Sequence, residues 1–177
     1  MRNLKIVTIF MLLAAFAIAQ DVPREATPAP DLLTTLQTDR SLAMFVTAVQ
    51  SSGMAKMLRE EGPFTVFALS NRAFASLPKE DRETLLTDRA ALHLLLAHYI
   101  ARGTIPADDT ASLQSARTLV GVKLHSDIRS EGSYVNGAKL SENDIRCANG
   151  IIHVLDSFDP GLVHDAMAMS RTNREAK

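Results

Sequence analysis

Apolar positions along the chain change their period midway. In the first half they recur at helical spacing: Leu42, Phe45, Val46 and Val49 fall at i, i+3, i+4 and i+7 and share one face. Asp39 or Ser41 can cap this helix, and Gly53 interrupts its far end. A second, short helix is expected over 54–59, ending before Gly62-Pro63. Residues 64–69 are apolar and partly β-branched, which is the composition of a buried strand. Ser70 and Asn71 then open a helical segment through Phe74 that Pro78 breaks, and another short helix is expected over 80–86. The clearest later helix covers 88–96, with Leu92, Leu95, Leu96 and Tyr99 on one stripe, followed by a brief extended piece over 98–101.

In the second half the runs are short and strand-like: 118–120, 122–125, 133–135, 138–140, 145–147 and 151–155. Asn136-Gly137 lies between two of them and is the strongest hairpin signal, because a type I′ turn needs positive φ at both central residues. Helices followed by strands predict an α+β fold with antiparallel pairing. Residues 20–30 are proline-rich and read as a linker, 31–160 as one domain, and 161–177 as a tail. In that tail 161–169 can form a short helix, and 170–177 is expected to fray.

The first residues add a compartment. Arg2 and Lys5 precede an apolar run from Ile6 to Ile18, and Ala17-Ile18-Ala19 supplies small residues where a signal peptidase requires them. A signal peptide over 1–19, cleaved after Ala19, predicts a secreted or periplasmic protein with no stable membrane span after cleavage. The competing reading is an uncleaved anchor, although the run is shorter than the about 20 residues a spanning helix needs. Composition supports a core built by packing alone: 46% of residues are hydrophobic, and the single cysteine, Cys147, can form no intramolecular disulfide. Cys147 reads as a buried small hydrophobe rather than a reactive thiol. Of 19 basic and 20 acidic residues, loss of Arg2 and Lys5 leaves 17 against 20, a balance with no footprint for nucleic acid.

No constellation of reactive groups emerges. Ser76-Leu77-Pro78-Lys79 matches S-x-x-K in letters, but Pro78 opposes the helical turn that would bring serine and lysine together. His93 and His98 lie five apart, about 140° around a helix, and so share no ligand face. His125, His153 and His164 stand singly, and Asp108-Asp109 reads as a solvated loop. The expectation is a protein without catalytic residues, cofactor or metal.

Three ordered segments carry a resemblance. Gly62-Pro63-Phe64-Thr65-Val66-Phe67-Ala68-Leu69-Ser70-Asn71-Arg72-Ala73-Phe74, Leu95-Leu96-Ala97-His98-Tyr99-Ile100, and the stretch from Val135-Asn136-Gly137 through Asp144-Ile145 to Asn149-Gly150-Ile151-Ile152-His153-Val154-Leu155-Asp156 resemble the signature segments of fasciclin-like domains. The match spans about Leu33 to Pro160. It implies a β-sandwich-like wedge flanked by several helices, in a secreted bacterial single-domain protein. By the same resemblance His98, Asn149, Gly150, His153 and Asp156 are mainly structural, with His98 tying a strand to a loop and Asp156 accepting from backbone amides. Asp144 and Ile145 align with a segment that family members use towards receptors, where an exposed aspartate precedes an apolar residue. They are candidate partner contacts, or else a structural turn and a core residue. Where the family commonly has tyrosine before the central histidine this chain has Ala97, which weakens transfer of the adhesive role described for that region. The function implied is surface or matrix adhesion through a protein or polysaccharide. The alternative is a carrier or sensor of a small apolar or glycan ligand, suggested by Met44, Met54 and Met57.

Overall fold

The computed structural model describes residues 29–130 and 132–175; the signal segment expected over 1–19 lies outside them. The first element, α1 (Leu32–Thr38), is capped by Asp31, whose carboxylate accepts from the Thr34 amide at 2.9 Å. Asp39 caps a single 3₁₀ turn (Arg40–Leu42) through the Ser41 amide. The following α2 (Ala43–Ser52) has no cap of its own. Asn71 Oδ1, 27 residues on, accepts from the Met44 amide at 2.9 Å instead. Helix α3 (Ala55–Glu60) leads into β1 (Phe64–Leu69), all six residues of which are buried. Helices α4 (Asn71–Ser76), α5 (Lys79–Thr87) and α6 (Arg89–His98) follow, then β2 (Ile100–Arg102).

The remaining strands are β3 (Ser126–Arg129), β4 (Gly132–Val135), β5 (Ala138–Cys147) and β6 (Gly150–Leu155), with α7 (Thr110–Ser115) before them and α8 (Pro160–Glu175) after. One six-stranded sheet in the order β2-β1-β6-β5-β4-β3 curls against the helices, giving the mixed α/β architecture expected. Phe45, Phe64, Phe67 and Phe74 fill the core between sheet and helices together with leucines of α1, α3, α5 and α6. Asn136 (φ 50°) and Gly137 (φ 79°) form the turn joining β4 to β5, as their sequence predicts.

Several expectations need correction. The central pair β1–β6 is parallel, from Phe64 opposite Gly150 to Leu69 opposite Leu155. Both strands are buried on both faces, which is the environment of parallel strands, and the long connection between them supplies the crossover. Residues 118–125 form no strand. They make two isolated bridges, Ala101 with Thr118 and Arg117 with Lys123, around a turn in which Val120 and Val122 stay 38% and 47% exposed. The valines have strand composition but no neighbouring strand to pair with. Runs 138–140 and 145–147 are parts of one strand, β5, whose polar middle is absorbed by two register shifts. Asp108 and Asp109 are exposed in the loop before α7, as expected, and Asp109 also caps that helix, accepting from the Ser112 amide at 3.0 Å; these bonds hold its pKa below the ordinary aspartate range. The tail does not fray at Ser170. Helix α8 runs on to Glu175 and packs on α6, with buried Ser170 donating to Asp88 Oδ2 at 2.7 Å.

Candidate functional site

The β5 bulge brings Asp144 and Ile145 beside β6 and the loop that follows β2. Asp144 sits in the left-handed region at φ 57°, a conformation aspartate tolerates better than most residues. Its Oδ1 accepts from the Ala107 amide at 3.1 Å, and its own amide donates to His153 Nδ1 at 3.2 Å. The Ile105 carbonyl lies 2.8 Å from His153 Nε2. A carbonyl only accepts, so Nε2 carries the proton and Nδ1 is the acceptor. Burial pushes the His153 pKa down; the Ile105 bond and the Asp144 charge oppose this more weakly. The ring is 0% exposed and stacks on Phe67 at 5.4 Å. This is a neutral imidazole with both nitrogens engaged, fastening residues 105–107 to the sheet.

The aspartate expected to be exposed is therefore half-buried, with one carboxylate oxygen committed to the backbone. Ile145 pairs with Ile152 and packs against the core from a half-buried position. The remaining motif residues form separate knots. Asn149 accepts from the Leu32 amide at 2.8 Å and donates to the carbonyls of Leu58 and Glu61 at 3.0 and 2.7 Å, joining α1, α3 and the β5–β6 turn. Gly150 passes so close to β1 that any Cβ there would collide with the Phe64 carbonyl oxygen. Asp156 accepts at 3.1 Å from the Ser70 hydroxyl, not from backbone amides. That hydroxyl in turn accepts from the Ala73 amide at 3.2 Å to cap α4, so Asp156 orients a helix cap from another strand.

His98 does not tie a strand to a loop. It closes α6, and its Nδ1 donates to the Leu94 carbonyl at 2.8 Å within the same helix. The strand-to-loop tie belongs to His153. Tyr99 is buried, accepts from the Asp159 amide at 3.0 Å, and has its pKa raised by that burial. Cys147 is half-buried against Thr35 Oγ1 at 3.3 Å, and desolvation raises its pKa, which disfavours the reactive thiolate. The methionines proposed to line a ligand surface are packing: Met54 is buried, and Met44 and Met57 lie against the core. Ser76 donates to the Ala73 carbonyl, whereas Lys79 pairs with Glu83 on the next helix. No group of three or more histidine, cysteine or acidic side chains able to hold a metal occurs among the described residues, and no described helix is long and apolar enough to cross a membrane.

Sequence reasoning did not find the partners of these residues. Ile105, Ala107 and Ser70 act through a backbone carbonyl, a backbone amide and a capping hydroxyl. Only Ser70 leaves a sequence signal, its N-cap position before a short helix.

Comparison with known proteins now bears on this arrangement. The family model described as "Fasciclin domain" matches residues 40–158. The chain is 32% identical over 128 residues to the uncharacterized protein sll1735 of Synechocystis, covering 72% of this chain and 96% of that protein. It is 30% identical over 130 residues to the pig transforming growth factor-beta-induced protein ig-h3, covering 73% of this chain but 19% of that longer protein. Among solved structures, a FAS1 domain pair from the insect cell adhesion molecule Fasciclin I superposes with a TM-score of 0.67 at 16% identity, over 77% of this chain and 53% of that one. The fold and the ordered motifs define a fasciclin domain, and the chain belongs to the fasciclin family. Domains of this family are non-catalytic interaction modules.

Proposed function

We propose that this chain is an exported fasciclin module, secreted or periplasmic, that holds a surface or matrix protein or polysaccharide. The observation that carries the reading is the family match over 40–158. The export segment over 1–19 supports the compartment, and the near-complete coverage of a single-domain relative supports action as one unit. The insect domain pair that shares this fold comes from a cell adhesion molecule, which is consistent with adhesion here. Asp144 and Ile145 enter the reading as the contact carried over by family resemblance.

The test is a pull-down with the purified protein from its native surroundings, comparing wild type with Asp144→Asn. Asparagine keeps an oxygen for the Ala107 amide while removing the charge. Retention of a defined envelope or matrix component by wild type supports the reading, and its loss in Asp144→Asn assigns the contact to the bulge. Absence of any saturable partner contradicts the reading.

A further inference from the structure

The sequence holds two Asn-Gly steps, Asn136-Gly137 and Asn149-Gly150, and the fold places them in different surroundings. Such a dipeptide is open to one spontaneous reaction, attack of the glycine amide nitrogen on the asparagine Cγ, because glycine has no side chain to obstruct it. In a folded chain the reaction needs a peptide unit free to turn, an Nδ2 free to leave, and water.

Asn149 is held at each of these points. Its Nδ2 donates to the Leu58 and Glu61 carbonyls at 3.0 and 2.7 Å, and its Oδ1 accepts from the Leu32 amide at 2.8 Å. A nitrogen donating to two carbonyls stays planar and cannot take up a proton and depart. The Asn149 carbonyl accepts from the Phe64 amide at 3.2 Å, and Gly150 is buried hard against the Phe64 carbonyl oxygen. The peptide between them cannot turn without parting β6 from β1.

Asn136 shares only the donor on its side-chain carbonyl. Its Oδ1 accepts from the His125 amide at 2.9 Å, which polarises Cγ and stabilises the negative charge that attack would place on that oxygen. Among the described residues no acceptor engages Asn136 Nδ2 or the Gly137 amide. Gly137 is exposed at φ 79°, with no atom within 4 Å of where a Cβ would stand, so the peptide unit has room to turn. Both residues line an open cleft of about 340 Å³, which brings water to them.

We infer that Asn136 is a site of spontaneous deamidation that ages the β4–β5 turn, while Asn149 persists. The Gly137 nitrogen bonds to Asn136 Cγ and gives up its proton, and Nδ2 departs as ammonia, leaving a five-membered succinimide. Water then opens the ring. Entry at Cγ gives aspartate; entry at the main-chain carbonyl gives isoaspartate, in which the chain runs through Cβ and gains an atom. Water enters and ammonia leaves, so no further reactant is needed. A two-residue turn has no slack for the extra atom, because Val135 pairs with Ala138 and Tyr134 with Lys139 directly beside it. The inference concerns the lifetime of the module and is independent of what the module holds.

The experiment is incubation of the purified folded chain in warm, mildly alkaline buffer, followed by tryptic peptide mapping in a mass spectrometer. Trypsin places the two steps in separate peptides, 130–139 and 147–171. In the folded chain Asn136 is expected to convert at least about tenfold faster than Asn149. In the urea-unfolded chain the two are expected to convert at similar rates, which assigns the difference to the fold. The isoaspartate fraction is expected to melt below the unaged protein. Asn136→Gly lacks the reacting side chain and is expected to keep its own melting temperature through the same incubation. The inference is overturned if folded Asn136 stays intact while the unfolded chain converts it, or if Asn149 converts as fast in the folded chain. An equal fall in melting temperature on ageing Asn136→Gly would overturn it as well.

Discussion

The two halves of the sheet are built on different terms. Strands β1 and β6 are buried along their whole length, with His153 stacked on Phe67 and both of its ring nitrogens engaged. Beyond β5, strands β3 and β4 form an outer ladder next to an excursion with two exposed valines, two orphan hydroxyls and a lysine without an ion pair among the described residues. One half pairs its buried polar atoms; the other buries two hydroxyls without a partner among the described residues. The fasciclin motifs fall mostly in the first half, so most of what identifies the family is what holds it together.

The contrast can be broken most severely at the crossing of β1 and β6. Gly150→Ala drives a methyl group into the Phe64 carbonyl oxygen and is expected to cost at least about 4 kcal/mol, read as a collapse of the urea midpoint. Next comes Phe67→Ala, which empties the centre of the core and removes the His153 stack, at about 3–5 kcal/mol. Val122→Ala on the outer excursion should stay within about 0.5 kcal/mol, and an equal loss at both positions would erase the distinction.

His153 tests the same division through pH. Its folded pKa lies below the ordinary histidine value of 6.5, so between the two values the unfolded chain binds more protons and stability rises with pH. The contribution is complete above about pH 6.5 and falls as the pH drops through that window. Thermal melts should therefore weaken from pH 7.5 to pH 5, and His153→Gln should flatten that dependence while costing about 1–3 kcal/mol at pH 7.5. A wild type equally stable at both values would contradict a buried neutral imidazole. A smaller effect than that of His153→Gln is expected from Asn136→Gly, which keeps the turn but loses the side-chain bond to the His125 amide, at about 0.5–1.5 kcal/mol by chemical denaturation.

These halves were unequally legible in the amino-acid sequence. Strand β1 begins and ends where its apolar run does, because burial on both faces writes the strand directly into composition. The Asn136-Gly137 turn was equally readable, since few residue pairs accept two positive φ values. The direction of β6 against β1 was not, because a buried run carries no mark of its partner. Val120 and Val122 misled for the opposite reason: β-branched composition suggested a strand where no neighbour exists to complete one. For Asp144, named from the sequence as a candidate contact, the environment was not legible, since the Ala107 amide that engages it lies 37 residues away.

The central claim, that the His153–Asp144 link is part of what holds the fold together, is tested most directly by thermal melts of wild type and His153→Gln at pH 7.5 and pH 5. The account predicts a wild type that melts lower at pH 5, and a variant that melts below wild type at pH 7.5 with a flatter dependence on pH. Equal melting of the two proteins at both pH values would contradict it.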